Sequence, residues 1–117
     1  QNWRPHGSGD WLLLYTVEGA GLLAHGRASA TLLPGEAALY PPGEPQDYRT
    51  DPETGAWSLR WAHFQPRPHW RAWLRWPRPP DGPARLRVTA PEIRSGLVQA
   101  LARLVSLARR GWDGTDE

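Results

Sequence analysis

The chain has 117 residues, room for one domain of ordinary size and not for two. Its 14 basic residues, all Arg, stand against 12 acids for a formal charge of +2, with no Cys; this excludes a strongly basic nucleic-acid surface, a disulfide framework, a thiol nucleophile and a zinc–thiolate centre. No apolar run approaches the roughly 18 residues of a membrane span, and 13 Pro and 12 Gly scattered among short apolar runs that contain most of the 8 Trp point to many turns and short strands.

In chain order, residues 1–10 are polar and Gly-rich and read as a lead-in. Trp11 to Val17 is a continuous apolar run of strand length, and Glu18-Gly19-Ala20-Gly21 supplies the residues of a hairpin turn. Leu22–His25 and Ala28–Leu32 predict a second hairpin about His25-Gly26-Arg27. Pro34-Gly35 is a turn, Ala37–Tyr40 a short strand, and Pro41-Pro42-Gly43 a sharp break. Gln46–Arg49 is another short strand, Asp51–Gly55 a loop, and Ala56–Gln65 the clearest strand. Strict alternation places Trp57, Leu59, Trp61 and His63 on one face and Ser58, Arg60, Ala62 and Phe64 on the other. Beyond Pro66, Trp70, Trp73 and Leu74 have the spacing of one or two helical turns, and a Pro-rich connector leads to a strand at Arg85–Val88. Thr89, Pro91 and Glu92 suit the start of a helix over 91–110, with Ile93, Leu97, Leu101, Leu104 and Ala108 on one stripe and Gly111 at its end. The final residues, Trp112 to Glu117, read as an exposed tail.

Residues Gly35-EAALY-Pro41-Pro42-Gly43 match the second sequence motif of the cupin superfamily: Gly, five residues, then Pro-x-Gly. The order and spacing of Arg4-Pro5, the strand ending in Val17 with Gly19 and Gly21, PGEAALYPPGE, Tyr48, WSLRW and HFQPRPHWRAWLRWP resemble the N-terminal arabinose-binding domain of AraC-type transcription regulators, from about Arg4 to Pro77. The resemblance implies a mainly β fold, a cupin-like antiparallel β-barrel of jelly-roll type over residues 1–90, with a C-terminal α-helix over 91–110 packed on or beside it. It implies a cytoplasmic regulatory domain that binds a small-molecule effector, a monosaccharide by analogy, and needs no cofactor. The expected partners beyond the effector are a second copy, in a homodimer of the full-length protein, and DNA, reached only through a C-terminal domain absent from this chain. Met is missing even at position 1, so the sequence reads as a piece of a longer protein, with the family's N-terminal arm before Gln1 and its dimerisation and helix-turn-helix segments after Glu117.

Carried over residue by residue, the resemblance makes Arg4 the sugar-binding Arg, Tyr48 the pocket Tyr and Trp61 the Trp that stacks on the sugar. Leu59 stands where the arabinose-binding member has a hydrogen-bonding His, which removes one polar handle. The chemistry is sound by itself. An indole offers a flat surface to the C–H face of a pyranose, worth about 0.5–1.5 kcal/mol beyond area, and a guanidinium donates a forked pair of hydrogen bonds. Against these roles stand plainer ones: Trp61 as core, Arg4 as a solvated surface residue, Tyr48 as packing, and Trp57 and Trp11 as packing outright.

The four His, at 6, 25, 63 and 69, raise the question of a metal. Metal-binding cupins need a first motif of His-x-His with a following Glu, which is missing, and the His position of the second motif, three residues after Gly43, holds Gln46. No metal site and no catalytic set of Ser, His and Asp or of paired carboxylates is expected. The Arg–Trp alternation from Arg67 to Pro79 is read as an amphipathic segment anchored by its Trp residues, not a nucleic-acid surface. Two alternatives stay open: a cupin-fold enzyme (isomerase or dioxygenase), and a dimerisation domain with no ligand.

Overall fold

The structure is a computed structural model; it describes residues 2–66, 68, 72 and 74–87, and the backbone of 113–115. Among the described residues nine strands run in chain order: β1 (Asn2–Arg4), β2 (Trp11–Gly19), β3 (Gly21–His25), β4 (Ala28–Leu32), β5 (Glu36–Tyr40), β6 (Gln46–Thr50), β7 (Trp57–Phe64), β8 (Ala84–Arg87) and β9 (Asp113–Thr115). They form a smaller sheet, β1-β6-β3-β4, and a larger one, β8-β5-β2-β7-β9. Every pairing is antiparallel. This is the mainly β, two-sheet architecture of a cupin-like barrel. The expected helix over 91–110, like Trp70, Trp73 and His69, lies outside the described residues. Among the described residues no helix is long and apolar enough to cross a membrane.

Burial on both faces explains why β2 reads as an unbroken apolar run. Leu12 and Leu14 face the smaller sheet, in a core with Leu23, Leu32, Ala38, Tyr40, Tyr48, Trp57 and Leu59. Leu13 points the other way, into a second cluster with Leu39, Phe64 and Ala84, on which Trp11, Tyr15, Leu74 and Trp76 pack. Trp11 stacks on Phe64 at 6.3 Å between ring centroids, its partner across the ladder. A central strand covered on both sides has no polar face, so period two disappears from its sequence. On β7 the alternation survives: Trp57, Leu59 and Trp61 face the inner core and Phe64 the outer cluster.

Three sequence expectations are corrected. Residues Glu18–Gly21 do not turn a hairpin, because β2 pairs with β5 and β7 while β3 pairs with β4 and β6. The segment is a corner where the chain passes between sheets. The polar lead-in contains β1, held by pairing Asn2, Trp3 and Arg4 with Tyr48, Asp47 and Gln46. The tail contains β9, whose backbone pairs with Ser58–Arg60. Both strands are three residues long, too short for any periodic signal.

One end of the inner core is closed by Trp57, 1% exposed. Its Nε1 donates to Thr16 Oγ1 at 2.9 Å, and that hydroxyl donates to the Leu32 carbonyl at 3.1 Å. The indole fits because residue 21 is Gly: a Cβ there would lie 2.3 Å from the Trp57 ring. Gly21→Ala is therefore expected to destabilise the fold by about 1–3 kcal/mol through overpacking, lowering the thermal midpoint by several degrees in a melt followed by circular dichroism; an unchanged midpoint would show that Trp57 has slack.

Candidate functional site

The ladder sets heights along the interior. On the larger sheet Trp57 pairs with Gly19 and Leu59 with Thr16, then Trp61 with Leu14 and His63 with Leu12, which also faces Tyr40. On the smaller sheet Gly21 pairs with Thr50, Leu23 with Tyr48, and Gln46, farther along β6, with Arg4. Trp57, Thr16 and Gly21 thus mark one end, and Tyr40, His63, Gln46 and Arg4 the other. The second end is called the rim.

Tyr48, Leu59 and Trp61 share the inner core, the first two buried and Trp61 only partly so. The half-buried Trp61 meets the His63 ring edge-on at 5.9 Å. Tyr48 lies edge-on to Trp57 at 6.0 Å and tilted against Tyr40 at 6.3 Å. Arg4 is exposed, but directly opposed residues of an antiparallel pair project from the same face. As the partner of buried Gln46 it rises from the inner side of its sheet, at the rim. Sequence reasoning thus named three residues that the fold brings together and a fourth on the edge of the same space.

The rim holds further polar groups. Pro41-Pro42-Gly43 and the segment Arg4–Asp10 fold on each other: Gly43 N donates to Ser8 O at 3.0 Å, Gln46 Nε2 to Ser8 Oγ at 3.2 Å, and Ser8 Oγ to Asp10 O at 2.9 Å. Gly7, at φ 67°, lies so close that a Cβ would sit 2.3 Å from the Glu44 carbonyl oxygen. Glu44 is buried and its Oε1 binds Arg78 at 2.5 Å, tying the Pro-rich connector to the same turn. Tyr40 Oη, Glu44 Oε2 and Gln46 Oε1 are buried with no hydrogen-bond partner. Such orphaned groups cost about 1–3 kcal/mol each and are few in native proteins. Burial, followed by the nearby Tyr48, Glu44 and Asp47, pushes the Tyr40 pKa far above the phenol range, Arg85 opposing weakly, so Tyr40 is a neutral O–H. The sequence reading left Tyr40 and Glu44 unnamed and weighed Gln46 only as a poor metal ligand. The available signal was a Tyr ending an apolar strand directly before Pro-Pro, with Gln46 and Tyr48 alternating on the next strand.

Among the described residues no group of three His, Cys, Asp or Glu side chains could hold a metal. His6 and His25 are exposed, on the Arg4–Asp10 segment and at the end of β3. Residues of β4, β5, β8 and the connector line an open groove of about 580 Å³, crossed by the pairs Arg85–Asp81 at 2.6 Å and Arg87–Glu36 at 3.0 Å. Its guanidiniums are already engaged with carboxylates, Arg78 with Glu44 among them, so the inner core beside Trp61 is the better candidate.

The sequence model of the family described as AraC-like ligand binding domain matches residues 1–117. Among curated proteins, the arabinose operon regulatory protein of Salmonella typhimurium is 35% identical over 74 residues, which is 63% of this chain and 26% of the relative. The arabinose operon regulatory protein of Escherichia coli is 36% identical over 74 residues, 63% of this chain and 25% of the relative. The chain thus spans about a quarter of the length of these relatives.

The Tyr40 shift fixes a pH dependence. Below about pH 10, the ordinary phenol pKa, Tyr40 is protonated folded and unfolded alike. Above it the unfolded chain loses the proton and the folded one keeps it, so stability falls as pH rises through this range. Tyr40→Phe is expected to remove that part of the alkaline loss, read as a shallower fall of the thermal midpoint between about pH 9 and 11; an identical slope in the variant would contradict the burial argument.

Proposed function

The chain belongs to the AraC-like ligand binding domain family, and on that premise we propose that it is the effector-sensing domain of a transcription regulator, holding a small polyhydroxylated molecule, a sugar, against Trp61. The observation that carries this reading is the contrast between two Trp on one face of β7. Trp57 is sealed and hydrogen-bonded, whereas Trp61, four residues on, is only partly buried beside the rim. A half-covered indole at the edge of an otherwise closed core offers a stacking platform. In this proposal Arg4 closes from the rim with forked donors, Tyr48 supports the ligand from the opposite sheet, and Leu59 presents an apolar wall. The relatives' names connect them to the arabinose operon; Leu59, in place of a polar residue, favours a different sugar here.

The wider assembly is also proposed. Residues 1–90 form the sensing unit, with a helix over 91–110 packed on or beside it. In the cytoplasm a homodimer acts on DNA through a separate C-terminal domain, and effector binding shifts the population of two arrangements. The rival dimerisation-only reading has one observation in its favour: Tyr40, Tyr48 and Trp57 pack their rings closely within the core.

Calorimetry with pentoses, hexoses and disaccharides separates these readings. Binding of at least one sugar is expected, weakened roughly tenfold or more by Trp61→Ala as stacking and buried area are lost together. Affinity untouched by that substitution would remove Trp61 from the site, and no binding by any sugar would favour the filled-barrel reading. A stoichiometric bound transition metal would instead favour a cupin enzyme.

A further inference from the structure

Tyr40 Oη and Gln46 Oε1 are buried and unpartnered, and both side chains belong to the end of the fold where Trp61 is incompletely covered. Tyr40 is 1% and Gln46 0% exposed. The two groups are complementary: a neutral phenol donates, and a carboxamide oxygen only accepts. Gln46 cannot exchange these roles freely, because its Nε2 already donates to Ser8 Oγ at 3.2 Å, which directs the oxygen away from that contact. Glu44 differs, since its carboxylate is engaged through Oε1 by Arg78.

The opposite end of the core offers no such handle. Leu32 and Leu59 line it, and its hydroxyl, on Thr16, is used by Trp57 Nε1 and the Leu32 carbonyl. Polarity is thus segregated along the interior, apolar toward Trp57 and polar at the rim.

We propose that Tyr40 and Gln46 determine effector specificity by reading two neighbouring hydroxyls of the ligand: the Tyr40 O–H donates to one, and Gln46 Oε1 accepts from the next. The effector then enters with its less polar end toward Leu59 and its vicinal diol at the rim. This rests on the effector-sensing reading above. Both atoms are closed to water in the ligand-free packing, so binding shifts the cover over them and exchanges two orphaned groups for two bonded ones. A site built this way discriminates strongly against a ligand that lacks the matching hydroxyl.

The test uses the whole chain, with calorimetry against L-arabinose, D-xylose, D-glucose and D-galactose and a thermal melt without sugar. For any sugar the wild type binds, Tyr40→Phe is expected to weaken binding about tenfold, the loss of one hydrogen bond in a closed site, while the ligand-free midpoint stays level or rises because an orphaned hydroxyl is gone. A merely structural Tyr40 would lower the midpoint and leave affinity alone. Gln46→Leu should weaken the same sugar, and, if it does not fold, Tyr40→Phe decides. A deoxy analogue lacking the paired hydroxyl should bind wild type and Tyr40→Phe equally. Affinity within twofold of wild type in Tyr40→Phe overturns this proposal and leaves the sensing role standing. A wild type that binds none of these four nor any sugar of the wider panel above overturns the vicinal-diol reading and sugar sensing together, and is recognised without any variant.

Discussion

Thr16 places a hydroxyl at the apolar end of the inner core, and both of its hydrogen bonds leave β2. It accepts from Trp57 on β7 and donates to the Leu32 carbonyl on β4, so one side chain joins the two sheets across the space between them. A buried hydroxyl or indole N–H without a partner costs about 1–3 kcal/mol, and here each satisfies the other. The arrangement demands Gly at 21, where the chain crosses from one sheet to the other under the Trp57 ring. With that end closed, the heights of Leu59, Trp61 and His63 follow from the ladder, and whatever the interior binds must be met from the rim.

What the sequence disclosed depended on whether burial left a pattern. Ala56–Gln65 kept one inner and one outer face, so its alternation placed Trp57, Leu59 and Trp61 together correctly. The hairpin at His25–Ala28 was readable from Gly26, and the break after Tyr40 from its two Pro. The corner at Glu18–Gly21 was not, because Gly-rich tetrapeptides serve equally for hairpins and for chain crossings; only the partners of β2, far along the chain, decide between them. β1 and β9 owe their existence to an available neighbouring strand edge.

The candidate site was legible to the same degree. Tyr48 and Trp61 could be named from the resemblance, and the fold sets them in one cluster. Arg4 could be named too, but its height at the rim required the pairing with Gln46. Tyr40, Glu44 and Gln46 escaped because a polar residue beside a turn ordinarily meets solvent. Tyr40 is buried in the inner core, and Glu44 and Gln46 meet the Arg4–Asp10 segment where it folds back on Pro41–Gly43, a contact between positions more than thirty residues apart. The departure at Leu59 from the arabinose-binding pattern gains meaning from this: the polar character absent from the middle of the interior is present at its rim.

The bulge in β2 has a consequence for how the chain tolerates changes in length. Pairing with β7 shifts between Thr16 and Glu18, so Val17 has no partner there and is 44% exposed. Removing Val17 alone would heal the bulge and leave Gly19 opposite Trp57, at the cost of the bend that bulges impose. Removing any one residue from Leu12 to Thr16 would instead invert the strand from that point, offering the inner core residues that now face outward. Homologous chains are thus free to differ in length at position 17, while the five positions before it form a frame in which every deletion is a mutation of the whole interior.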